Sequence, residues 1–351
     1  MSAVRYVATT NRQVGDDPTF DARAAAIATH VREIQARADA ATGRWSHAGG
    51  PTDRRILDVL CMLALQALNA SVEADIRRLA LLGGVGRETA RTALIRLARD
   101  GWIRHVRAAD GPHGATWTID PQNVIHRDDV PSRSQADPRP VGARAAERTA
   151  LLTTLSTRIR DSAHDVFTVG GGLGHLAGNV FARLGSKPQT VQMITLLTGC
   201  DSDLLISVLS RLQWSGLIVM SRDGWRRRPT DIRRAAAIRL GVDGRLKDRA
   251  NRYALERELW AWWKAEEAWM CAPRRAHPTR RPGPGQLALV PELGTHIYGV
   301  HPRTIEGRMD WAAARAEIQF QRVCRAQPSS LNPTQIREEQ LMSILGTTRI
   351  A

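Results

Sequence analysis

The feature that most limits what this chain can fold into is a change of period, punctuated by glycine, between residues 71 and 120. Ser71 is placed to cap a helix with Glu73 and Asp75 in its first turn, and Ile76, Leu79 and Ala80 give that helix an apolar side to about Leu82. Gly83-Gly84-Val85-Gly86 then forms a tight turn with one apolar residue pointing inward. A further helix over residues 87–100 buries Ala90, Ala93, Leu94 and Leu97, spaced i, i+3, i+4, i+7. After Gly101 the period drops to two: WIRHVRA and ATWTI alternate on either side of residues 109–114, whose Asp110-Gly111 pair favours a hairpin. Upstream, residues 54–69 (RRILDVLCMLALQALN) are apolar on nearly every side, which makes this the central, buried helix. Three helices and a β-hairpin thus occupy residues 51–120.

The same order recurs downstream. Residues 173–184 (LGHLAGNVFARL) follow a glycine-rich lead-in as a first helix, residues 188–198 (PQTVQMITLLT) make a second, and Gly199-Cys200 is the turn. Residues 201–215 form the third, with Leu204, Val208, Leu209 and Leu212 as its buried stripe. Gly216 precedes a short hairpin, LIVMS and WRRR about Arg222-Asp223-Gly224. Residues 20–42 make an Ala-rich helix with Ile27, Val31, Ile34 and Ala38 on one side, closed by Gly43, Gly49, Gly50 and Pro51. Two proline-rich stretches, 121–147 (Pro121, Pro131, Pro138, Pro140) and 272–295 (Pro273, Pro278, Pro282, Pro284, Pro291), are linkers. Between the second hairpin and the second linker, Leu255, Leu259, Trp262 and Trp269 share a helical face that Trp260 and Trp263 widen, a pattern of packing or dimerisation. Helices are expected near 303–325 and 333–345. The resulting layout is an N-terminal helical extension (1–50), a first helical unit with its hairpin (51–120), a linker (121–147) and a second such unit (148–230). A Trp-rich helical segment (231–271), a Pro/Arg-rich linker (272–300) and a C-terminal helical tail (301–351) follow.

Helix, glycine turn, helix is the helix-turn-helix signature, in which the second helix sets its N-terminal residues over base edges in the major groove. The segment DIRRLALLGGVGRETARTALIRLARDGWIRH, with the hairpin that follows, resembles the winged helix-turn-helix family. The resemblance implies a mainly α fold with small β-hairpin wings, two winged helix-turn-helix domains plus accessory helices, and double-stranded DNA as the partner. On the helix face opposite the buried set, Arg87, Glu88, Arg91 and Thr92 are the candidate DNA contacts, flanked by Arg96 and Arg99. Arginine can bond guanine bidentately, and a threonine methyl can meet that of thymine. Arg104, His105 and Arg107 lie where a wing would meet phosphates. In the second unit the matching helix opens Asp201-Ser202-Asp203 and has Arg211 as its one basic residue. Carboxylates there cap a helix and repel phosphates. Its DNA contacts are therefore expected from Arg226, Arg227 and Arg228 in the wing, leaving its helix for dimerisation or a protein partner.

Charge supports a polyanionic partner. The chain carries a net +15, with 50 basic residues of which only Lys187, Lys247 and Lys264 are lysines. From residue 222 to 281 there are 17 Arg or Lys against 8 Asp or Glu, and Arg274, Arg275, Arg280 and Arg281 could run along phosphates or a minor groove. Cys61, Cys200, Cys271 and Cys324 are far apart without C-x-x-C spacing, so no zinc site or disulfide framework is expected, and Cys61 and Cys200 read as packing residues. His277, His296 and His301 have no matching cysteine, and no metal or cofactor is expected. Residues 170–178 (GGGLGHLAG) lack the Lys-Ser or Lys-Thr of a phosphate loop and read as a loop entering a helix. None of Tyr6, Tyr253 and Tyr298 accompanies a His-x-His pair, so the chain is not expected to be an enzyme. The N-terminus has no apolar core segment, and the longest apolar run, 56–70, is broken by Asp58, Gln66 and Asn69. A cytoplasmic protein without membrane contact is expected.

A wider resemblance covers most of residues 164–315. HDVFTVGGGLGHLAGNVFARL, ERELWAWWKAEEAWM and RPGPGQLALVPELG are similar to proteins encoded on plasmids and integrated or phage-like elements of high-GC Gram-positive bacteria. Such proteins accompany replication genes, which implies origin binding in replication initiation of a plasmid or mobile element. A transcriptional regulator binding an operator and a structural adaptor in segregation are the alternatives. Beyond DNA, the expected partners are a second copy, as homodimer or higher oligomer, and a replication or partition protein.

Overall fold

A computed structural model describes residues 18–41, 43–110, 113–122, 143–271 and 297–326. The N-terminal 17 residues, turn residues Gly111 and Pro112, most of both linkers and the helix expected at 333–345 lie outside the described residues. The chain is mainly helical with two small antiparallel sheets, and it divides into two compact units, Met1–Leu246 and Lys247–Ala351.

In the first unit, α1 (Pro18–Ala40) buries Ile27, Val31, Ile34 and Ala38, the stripe expected from their spacing. α2 (Gly50–Ala67) starts four residues earlier than its apolar run suggests. Pro51 lies in its first turn, where a missing N–H costs nothing, so this proline opens α2 as well as following α1. Every residue of α2 from Thr52 to Leu65 is buried, as expected of a central helix, and four of them are charged: Asp53, Arg54, Arg55 and Asp58.

Ser71 does not cap a helix. Ser71–Ala74 form strand β1, and the cap of α3 (Ile76–Gly83) is Asp75, whose carboxylate accepts from the backbone N–H of Arg77 and Arg78. Val72 and Ala74 alternate inward, and the Ser71 and Thr118 hydroxyls bond at 2.6 Å, which holds the segment extended. α4 (Arg87–Arg99) buries Ala90, Ala93, Leu94 and Leu97 as their spacing predicts. β2 (Ile103–Arg107) and β3 (Ala115–Ile119) form the expected hairpin, and the sheet order is β1-β3-β2.

The second copy follows α5 (Ala143–Ser162) and a short 3-10 turn at Asp165–Phe167. It comprises α6 (His175–Arg183), α7 (Val191–Thr198), α8 (Ser202–Trp214) and the hairpin of β4 (Ile218–Ser221) and β5 (Gly224–Arg227). A single bridge, Gln189 to Trp225, stands where β1 pairs β3 in the first copy. Each end of α7 and α8 and the start of β4 lie 115 residues after those of α3, α4 and β2. Gly84 and Gly199 (φ 65° and 64°) end the equivalent helices, and Gly101 and Gly216 (φ 77° and 76°) open the equivalent hairpins. Left-handed backbone at these four points is where glycine is needed. One expectation is corrected: Leu205, not Leu204, belongs to the buried stripe with Val208, Leu209 and Leu212, which restores the spacing of Ala90, Ala93, Leu94 and Leu97. α9 (Arg233–Arg239) closes on this core through Ala236 and Ala237.

Polar contacts join the two copies. Arg55 of α2 donates to Asn179 Oδ1 at 2.7 Å, His175 O at 2.9 Å and Gly83 O at 3.2 Å, so one buried guanidinium ties α2, α3 and α6. Arg54 pairs with Asp39 and Asp58, while Arg158 of α5 approaches Asp58 and Arg183 of α6 approaches Asp39. Trp45, between α1 and α2, donates to Ala38 O and lies under Arg44 and Arg54, and Gly43 N–H bonds Gly199 O at 2.7 Å. The N-terminal helix and both helical copies therefore belong to one compact unit.

In the second unit, α10 (Arg245–Cys271) and α11 (Trp311–Ala326) enclose Leu255, Leu259, Trp262, Tyr298, Ala314 and Ile318. The apolar stripe of α10 is thus a packing face for Leu255, Leu259 and Trp262, while Trp260 faces solvent. Trp262 donates to Gly299 O at 2.8 Å, and Glu258 accepts from Tyr298 and Arg322. α11 begins at Trp311, later than expected, because Asp310 caps it through the N–H groups of Ala312 and Ala313.

Candidate nucleic-acid interface

α4 is held from behind and open in front. Its apolar side packs on α2 and α3, and its N-cap is Gly86, which has no side chain to bond the N–H groups of the first turn. In its first turn Arg87 and Glu88 pair at 3.1 Å, both exposed. Arg91, one turn on, is exposed and makes no side-chain hydrogen bond or ion pair among the described residues. Thr92 is exposed and returns its hydroxyl to Glu88 O at 2.8 Å. Arg99 at the far end has 82% of its side chain exposed.

Arg96 is not on this surface. Its guanidinium turns back to the start of α2, where it holds the fully buried Asp53 through two nitrogens at 2.6 and 3.1 Å and reaches Thr52 and Gly49 O. The bond to Asp53 raises its pKa above that of a free arginine. Arg44 bonds Asp53 as well and pairs with Asp100. This cluster positions α4 against α2.

The hairpin supplies the rest of the surface. Arg104 opposes Thr118 and Arg107 opposes Thr116, although the arginines are three residues apart and the threonines two. The register shift between His105 and Arg107 absorbs the extra residue, a β-bulge at Val106. Without it Arg104 and Arg107 would point to opposite faces; with it both share the polar face of the sheet, exposed and without a partner among the described residues. His105 is on the other face, its ring 4.8 Å from that of Trp117. Glu73 braces the turn through Gly114 N–H.

The β4–β5 hairpin offers less than its sequence suggests. Arg227 shares the inward face of β5 with buried Trp225, donates to Asp161 at 2.6 Å and to Phe181 O at 2.9 Å, and lies over the Phe181 ring. The period of two places Arg227 beside Trp225, and that signal was present in WRRR. Arg226 is half-buried and Arg228 is exposed. Asp201 caps α8 by accepting from Asp203 N–H, so this pair is a helix start.

Cys61 and Cys200 are buried, and burial pushes the Cys61 thiol up to about 12, which keeps it unreactive. Among the described residues no group of three or more His, Cys, Asp or Glu side chains is placed to hold a metal ion. His301 lies among the rings of Trp262, Trp263 and Trp311, and His277 and His296 fall outside the described residues, as do Arg274, Arg275, Arg280 and Arg281. No single described helix is long and apolar enough to cross a membrane. No protein-family model, curated protein or solved structure matches the chain.

Proposed function

We propose that the protein binds double-stranded DNA, with α4 as a major-groove reader and the β2–β3 hairpin as its wing, in the manner of a winged helix-turn-helix. The observation that carries this is the set Arg91, Arg104 and Arg107: three exposed guanidinium groups without partners among the described residues, on two elements whose other sides are locked into a core. Cations left free on a rigid frame fit a polyanion, and Arg87 and Thr92 beside Arg91 supply base-edge contacts. Arg96 and Arg227 have no part in it. Origin binding in a plasmid or mobile element is the process we propose, on the sequence resemblance of residues 164–315. Footprints repeated beside a replication origin support it, whereas a promoter palindrome favours an operator and sites in a segregation locus favour an adaptor.

The test is binding by the full chain to a duplex chosen by unbiased selection, followed by fluorescence anisotropy. Arg91→Ala should cost roughly 1–3 kcal/mol on the selected duplex and little on random DNA. Arg104→Ala and Arg107→Ala should weaken all duplexes and each lower the salt slope by about 1. Unchanged affinity for the selected duplex in Arg91→Ala overturns α4 as the reader.

A further inference from the structure

The second copy keeps the scaffold of the first and changes what it shows to solvent. At the 115-residue offset Arg91 is matched by Ile206, Thr92 by Ser207, Arg99 by Trp214 and His105 by Met220. Ile206, Trp214 and Met220 are all exposed, Trp214 to 85%. Of the four buried positions of α8, two carry larger side chains than in α4 (Leu205 for Ala90, Val208 for Ala93) and two are leucine in both, so the second copy keeps an apolar core while also showing apolar side chains to solvent.

The polar residues on this face have an order of their own. Asp203, Ser207 and Arg211 are exposed and four residues apart, which places them in one row along α8. Asp203 and Arg211 stand about 12 Å apart along the axis. Neither makes a side-chain ion pair among the described residues; Asp203 donates its backbone N–H to the Asp201 carboxylate. A row with an acid at one end, a base at the other and a small residue at the centre is complementary to itself. A twofold axis through Ser207 sets Asp203 of each chain against Arg211 of the other, making the same ion pair twice, and serine lets the two backbones approach. Trp214, seven residues beyond Ser207 and within about 20° of it around the helix, extends the contact at each end with apolar surface.

We infer that α8 is a self-association helix, on which two copies of this chain pair antiparallel through the Asp203–Ser207–Arg211 row with Trp214 at each end. Phosphate is disfavoured by Asp201 and Asp203. A partner of a single charge sign would satisfy only one end of the row. A second copy satisfies both, and an interface that contacts itself across a twofold is the commonest form of homodimer. The dimer carries two α4 helices, so a DNA target would hold two equivalent half-sites; that consequence alone rests on the DNA-binding reading.

Sedimentation velocity of the full chain without DNA tests the pairing apart from that reading. The native chain should be dimeric at micromolar concentration. Asp203→Arg and Arg211→Asp, each setting like charges together twice, should weaken dimerisation roughly a hundredfold. The double variant D203R/R211D should restore the dimer with the ion pairs reversed. Trp214→Ser, a change at an exposed site, should weaken the dimer and leave the melting temperature unchanged at concentrations low enough for both chains to be monomeric. A monomeric native chain overturns the inference. So does a dimer indifferent to the single reversals, or a double variant that is folded by thermal melting and remains monomeric.

Discussion

Arg91 and Arg96 lie five residues apart on α4 and serve opposite ends. Arg91 is spare charge at the surface, whereas Arg96 neutralises Asp53, which is fully buried at the start of α2. Removing Arg96 leaves that carboxylate with Arg44 as its partner. Arg96→Ala is therefore expected to lower stability by about 2 kcal/mol, read by denaturant titration, while leaving the salt slope of DNA binding where it was. An altered slope with unaltered stability would put Arg96 back on the proposed DNA surface. Acid tests the other carboxylates. Burial alone would push the Asp58 carboxyl up, but the cations of Arg54, Arg158 and Arg183 and the Gln35 amide outweigh it and hold it below its ordinary range. Asp231, hydrogen-bonded by Arg233, is brought down to about 2. Both bind protons more weakly folded than unfolded, so their stabilisation is complete above the unfolded value near 4 and is lost as pH falls through the folded value. Denaturant midpoints should hold from neutrality to about pH 4 and decline towards pH 2, with a shallower decline in Asp58→Asn. These roles were not legible in the sequence. A helical wheel shows Arg96 at the edge of the polar side and cannot show Asp53, 43 residues away, beneath it.

Elements were legible where their period ran long enough. The stripes of α1 and α4 are buried as read, and the Asp-Gly turns mark both hairpins. β1 was not legible: four residues are too few to establish a period of two, and the strand exists because β3 pairs with it. The bulge at Val106 was hidden for the same reason, since register belongs to a pair of strands. At this scale the glycines give a comparison. Gly84 (φ 65°) and Gly241 (φ 67°) share a left-handed backbone. A Cβ at Gly84 would stand 2.9 Å from Ala163 Cα, whereas one at Gly241 meets nothing within 4 Å. Gly241→Ala should cost about 1 kcal/mol for the backbone alone. Gly84→Ala should cost that and roughly 1–3 kcal/mol more, because α3 must move from the segment after α5. Equal losses in melting experiments would mean that this close approach yields without cost.

Across the first unit, stability is shared by two copies that read in sequence as separate modules. Asn179 of α6 accepts from Arg55 and donates to Pro51 O at 2.8 Å, so it serves α2 from the other copy. Asn179→Ala leaves a buried guanidinium short of an acceptor and should cost about 1–3 kcal/mol. Hydrogen exchange should then show protection falling together in α2–α4 and α6–α8. Loss confined to α6–α8 would show that the copies fold independently.

By itself the sequence determined what depends on neighbours along the chain: most helix faces, glycine stops, hairpin turns, the order of helices and hairpins in both copies and the surplus of positive charge. Periodicity and backbone sterics act within a few residues, so one strand of text is enough to read them. Tertiary structure decided which arginines are free. A guanidinium has the same charge and reach wherever it stands on a helix, and only the folded chain brings Asp53 to Arg96 and Asp161 to Arg227 while leaving Arg91, Arg104 and Arg107 facing water.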